Sequence, residues 1–101
     1  MPKHEATLMG RPYYIPDYMG DGIDLYVNEG IKPGGFLQAV ICNDLKEAFA
    51  KADDVNFHNI AAYADYFYNH TPAICWGSRE KMEAWVKTHS ERRKKDVEQS
   101  T

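Results

Sequence analysis

The side chains of this sequence best suited to chemistry by type and spacing are Arg11, Tyr13, Tyr14, Tyr18 and Tyr26. Tyrosine rings stack on flat ligands and their hydroxyls reach polar edges, while an arginine grips a phosphate with two parallel N–H groups. The same residue types make hot spots in protein interfaces. A third use is mechanical, in which an N-terminal arm carrying them is strapped across the body of the domain. All three uses remain open at this stage, and the five residues form the first candidate ligand- or partner-binding set.

Asn43 and Asp44 form the second. Stepping about 100° per residue from Leu37 puts Asp44 beside Ile41 and Ala48, on the stripe that a helix over this segment turns to the core. A carboxylate buried there has to be paired, hydrogen-bonded, or placed at the lip of a pocket or interface. It then either caps a loop or a tyrosine hydroxyl of the arm, or it faces a ligand or partner. A third option is a small enzyme in which burial raises the Asp44 pKa and makes it a general base.

Weaker patterns add little. Lys32-Pro33-Gly34-Gly35-Phe36 has some character of a phosphate cradle, but it lacks the spacing of a nucleotide-binding loop and reads better as a connector. His58, Asp65 and Asn69 share a polar face, with His58 and Asp65 two turns apart, so they read as solvated rather than metal-binding. Cys42 with a histidine, or Ser78 with His89, has no local signature of a nucleophilic pair. No catalytic residue, metal or cofactor is therefore expected.

These residues must be held by helices. Residues 1–15 read as an extended arm with at most a short β-pairing. Pro16 opens a first helix carrying Met19, Ile23, Tyr26 and Val27 as far as Gly30. Phe36 to Ala52 follows, with Leu37, Ile41, Leu45, Ala48 and Ala52 as its apolar stripe. Asp53-Asp54 caps a third helix that runs to His70. Thr71 to Gly77 is a packed loop with Ile74 and Trp76 plugging the core, and Ser78 caps a last helix. The expected architecture is all-α, a compact bundle of about four helices over residues 16–90. Residues 91–101 form a charged tail expected to fray.

With 101 residues, 44% hydrophobic and 27% charged, one folded domain is expected. Net charge is −3, and residues 1–90 hold 8 basic and 12 acidic side chains, which argues against a nucleic-acid surface. Arg92 to Lys95 reads as a helix end favoured by the dipole. Two distant cysteines, no signal-peptide profile and no long apolar run point to a reducing cytoplasm and no membrane. A domain this small leaves much apolar surface outside, so self-association into a homo-oligomer is expected.

From Ile15 to about Trp85 runs an ordered series: Ile15-Pro-Asp-Tyr-Met, Gly22-Ile, Tyr26-Val, Gly30, Pro33-Gly-Gly-Phe-Leu-Gln-Ala-Val, Asn43-Asp-Leu-Lys-Glu-Ala, Ala52-Asp-Asp and Cys75-Trp-Gly-Ser. It resembles a set of small, largely uncharacterised accessory proteins of phages and prophages. The resemblance brings no catalytic residues. It implies a non-enzymatic protein that binds and inhibits, or sequesters, a host component as in anti-defence, the partner being a host protein or a small signalling molecule.

Overall fold

Met9 and Gly10 both take positive φ, 53° and 75°, and this tight turn folds the N-terminal arm into a hairpin. Two consecutive left-handed residues give the turn whose twist matches that of paired strands. Strands β1 (His4–Leu8) and β2 (Arg11–Ile15) pair antiparallel, with His4 opposite Ile15, Ala6 opposite Tyr13 and Leu8 opposite Arg11. The computed structural model describes residues 1–99. Among these, the hairpin is followed by α1 (Gly20–Glu29), α2 (Gly35–Ile41), α3 (Leu45–Lys51), α4 (Asp54–His58), α5 (Ile60–His70) and α6 (Arg79–Gln99). Short 3-10 turns occupy Asp17–Met19 and Ala73–Cys75.

The all-α expectation is thereby corrected: the architecture is mixed, helices plus a two-stranded sheet, and the arm belongs to the fold. An isolated two-stranded hairpin is marginal in water, so this one needs a surface to lie on. It lies on α5. The alternate residues His4, Ala6, Leu8, Tyr13 and Ile15 are wholly or partly buried, while Glu5, Thr7, Pro12 and Tyr14 stay exposed.

Two of the expected helices are divided. The segment 36–52 breaks at Asn43, which takes φ 61°, a left-handed conformation that asparagine tolerates better than most residues. Asp44 then caps α3, accepting a hydrogen bond from the Glu47 N–H at 3.4 Å. The segment 54–70 breaks at Asn59, between α4 and α5. In the connection before α6, Cys75 rather than Ile74 is buried, Trp76 packs against the core, and Ile74 is 67% exposed. α6 stays helical through Gln99, and the part of the charged tail beyond it, residues 100–101, lies outside the described residues.

The core gathers Ile15 from the hairpin, Ile23 and Tyr26 from α1, Phe36, Leu37 and Ile41 from α2, Tyr63 and Phe67 from α5, and Met82 from α6. Its two buried tyrosine hydroxyls are satisfied internally. The Tyr26 hydroxyl donates to the Cys75 carbonyl and the Tyr63 hydroxyl to Asn56 Oδ1, both at 2.5 Å. α6 is fastened to the C-terminal end of α1: Trp85 Nε1 donates to the Tyr26 carbonyl at 2.9 Å, and Arg93 donates to the Glu29 carbonyl. A cation there also complements the negative end of the α1 dipole, which gives the basic run a specific contact.

Gly30 ends α1 at φ 64°, and a Cβ placed on it would overlap the His89 side chain. Gly30→Ala therefore combines a left-handed penalty with overpacking and should destabilise the protein by about 2–4 kcal/mol in denaturant unfolding. The cost of Gly30→Ala should be smaller in a His89→Gly background, which removes the clashing Cβ as well as the ring. An equal cost in both backgrounds would refute the close packing of α6 on this turn.

Candidate functional site

Between α2, α3 and α5, and bounded by the hairpin at Leu8, runs an open groove of about 550 Å³. Its wall on α5 carries Ile60, Ala61, Ala64 and Tyr68, and the opposite wall carries Val40, Leu45 and Ala48. The small alanines make the depth, because helices lined with short side chains leave space above them. Asn43, Asp44, Asp65 and Asn69 supply polar groups around this apolar surface, and among the described residues no lysine or arginine lines it. Leu45 and Tyr68 are 64% and 74% exposed, which is a large outlay of apolar surface to solvent for a small domain. At one end Trp76 stands near Tyr68, ring centroids 6.1 Å apart. Its buried Nε1 has no hydrogen-bond partner among the described residues. A buried donor without an acceptor costs about 1–3 kcal/mol, so a ligand acceptor reaching it would gain in proportion.

The structure distributes the residues singled out in the sequence over several places. Asn43 and Asp44 line the groove. Asp44 is exposed rather than buried on the core stripe, because the helix breaks immediately before it, and the buried-base option loses its premise. Arg11 is exposed opposite Leu8 at the mouth of the hairpin. Tyr13 and Tyr14 line a separate shallow hollow with Glu5, Thr7 and Asp17. Tyr26 is fully buried, and burial pushes its hydroxyl pKa well above the ordinary value. It holds α1 to the Cys75 turn instead of meeting a ligand.

Tyr18 is exposed, and its hydroxyl donates to Asp53 Oδ2 at 2.6 Å. This hydrogen bond, the largest cause, pushes the phenol up to about 12 and lowers the Asp53 carboxyl, which also accepts the Asn56 N–H. Asp53 is thus the cap of α4 and the anchor of Tyr18 at once.

Other paired chemistries do not assemble. Desolvation raises both cysteine thiols, Cys42 Sγ facing Met82 Sδ and Cys75 sitting in the core. Neither has the lowered pKa of a nucleophile. Ser78 caps α6 through the Lys81 N–H, and His89 lies about 16 Å further along that helix at 1.5 Å per residue.

Sequence reasoning missed two things. One is the groove wall, since Ala61 and Ala64 read only as members of an apolar helix face. The other is the partner of Asp65: not His58, which bonds its own helix at the Asp54 carbonyl, but His4, whose Nε2 lies 2.8 Å from Asp65 Oδ2. His70 joins them, and the potential metal-ligating atoms of His4, Asp65 and His70 all lie within 4.8 Å of one another. Only the hairpin fold brings position 4 to position 65.

No family model matches the sequence, and neither a curated protein nor a solved structure matches it significantly. No described helix is long and apolar enough to cross a membrane.

The Tyr18–Asp53 pair yields a pH prediction. A carboxyl whose folded pKa is depressed contributes stability above its unfolded pKa and loses it as the pH falls through the folded value. Tyr18→Phe should therefore be less stable than the parent at neutral pH, with the gap closing as the pH drops below the ordinary carboxylate range. Chemical denaturation across that range measures it; a gap independent of pH would remove the pairing.

Proposed function

We propose that the chain acts by stoichiometric binding, not turnover, as an accessory protein of the phage type. In this reading its groove takes an apolar segment of a host protein in the host cytosol, and so inhibits or sequesters that protein. The observation that carries the reading is the groove itself, apolar along both walls, with Asp44 and Asp65 as the only charged residues lining it among the described residues. Apolar anchors set into a helix-walled groove are a common mode of peptide recognition. Two carboxylates at its edge favour a segment that carries a basic residue and disfavour a phosphate. The resemblance to small phage and prophage proteins supplies the context. Self-association belongs to the same reading, and the exposed, edge-to-face pair Phe49–Phe57, 5.0 Å apart, offers apolar surface for it.

A small-ligand reading, nucleotide-like in shape, has one observation of its own. The unpartnered Trp76 N–H beside Tyr68 suits the edge and face of a flat heterocycle. The acidic lining weighs against its phosphates.

A photo-crosslinking side chain at position 68, on the groove wall, should capture one host protein at one per chain. The same group at the exposed position 25 should not. Ala64→Arg, on an exposed helical position inside the groove, should cut that capture at least about tenfold, equivalent to about 1.4 kcal/mol, with helicity unchanged. Equal capture from both positions, or capture indifferent to Ala64→Arg, would refute the groove as the binding surface.

A further inference from the structure

We propose that His4, Asp65 and His70 form a binding site for a first-row transition metal ion, with zinc the expected occupant. The inference stands on this cluster alone and does not rest on the use of the groove.

Two imidazoles and one carboxylate make a nitrogen-and-oxygen donor set of the kind zinc takes, with metal–ligand distances of about 2.0–2.2 Å. Donors around such an ion stand roughly 3.3–3.5 Å apart in a tetrahedral shell. The three donors here already fall within 4.8 Å of one another, so small side-chain rotations suffice to close the shell. They come from two elements, His4 from β1 and the other two from α5, and the His4 and Asp65 side chains are 14% and 21% exposed. An ion can enter, and part of its shell is protected.

The surroundings hold the donors in position. Asn69 Nδ2 donates to Asp65 Oδ1 at 3.0 Å, which leaves Oδ2 directed at His4. Outer partners of this kind orient a ligating carboxylate. The His4 ring meets Tyr66 edge-on at 5.3 Å and His70 at 5.1 Å, and Tyr66 lies 5.8 Å from His70. The nearby cation, Lys3, is engaged by Asp24.

A hydrogen bond from His4 to Asp65 would by itself latch the hairpin to α5. His70 takes no part in that hydrogen bond, and the convergence of its ring nitrogen on the same point is what a metal site requires. Three protein donors leave at least one coordination position for water or for a donor from a partner. Asp65 belongs to both the cluster and the groove lining.

The test uses the full chain, freed of metal by chelator and dialysis. Calorimetric titration with zinc should give one ion per chain, and cobalt in its place should show the visible absorption of a low-symmetry site. His70→Ala should weaken zinc binding by at least about a hundredfold and Asn69→Ala by about tenfold. His58→Ala, another exposed histidine, should leave it unchanged. Added zinc should raise the thermal midpoint of the parent and leave that of His70→Ala where it stands without metal. His70→Gln, which keeps the side chain's bulk, should show the same loss. Failure of the parent to bind one zinc, retention of binding by the His70 variants, or equal loss in His58→Ala would overturn the proposal.

Discussion

Asn59 is the joint on which the arrangement depends. It is a buried polar residue at the break between α4 and α5, and its amide is used at both ends. Oδ1 accepts the Tyr14 N–H of β2 at 2.8 Å, and Nδ2 donates to the Val55 carbonyl of α4 at 2.8 Å. One side chain thus closes the end of one helix and fixes a strand against the start of the next. Buried partners lost from such a bond cost about 1–3 kcal/mol each, a large fraction of the stability of a domain of this size. This bond acts with Leu8 at the groove, Ile15 in the core and the His4–Asp65 contact to seat the hairpin on α5.

The helices were largely legible from periodicity and caps. Gly30, the Asp53 cap and the Ser78 cap all end or begin helices where turn chemistry places them. The two internal breaks were harder because apolar spacing continued through them. Leu37, Ile41, Leu45 and Ala48 keep a helical period although Asn43 turns left-handed between them. The signal was present in Asn43-Asp44 followed by Glu47, an N-terminal capping pattern, but the stripe outweighed it. Asn59 offered even less, since an asparagine inside a helical run marks a break only when something beyond the helix uses its amide.

The hairpin was hidden for a different reason. Its turn, Met9-Gly10, lacks the asparagine or aspartate that usually announces two left-handed residues, and Pro12 argues against a strand. Pro12 is tolerated because a two-stranded sheet has only edges. The inward face, His4, Ala6, Leu8, Tyr13 and Ile15, is too mixed in polarity to show a period of two. The tyrosines were legible as chemistry but not as place. Tyr26 supports the core, Tyr18 serves the Asp53 cap, and Tyr13 and Tyr14 lie on the hairpin. What gathers at the groove instead are alanines, whose significance lies in the space they leave, and a linear pattern cannot express that.

Small size connects these observations to function. A domain with one modest core, whose two cysteine thiols are pushed up by burial, leaves an apolar trough open with the carboxylates of Asp44 and Asp65 at its edge. Such a surface gains from being covered. The proposed binding through the groove is tested most sharply by native mass spectrometry of the full chain isolated gently from the cells that express it, beside its Ala64→Arg variant. Under that proposal the parent retains a polypeptide in fixed ratio and the variant emerges without it. A small-molecule adduct carried equally by both, or the same polypeptide carried by both, would contradict it.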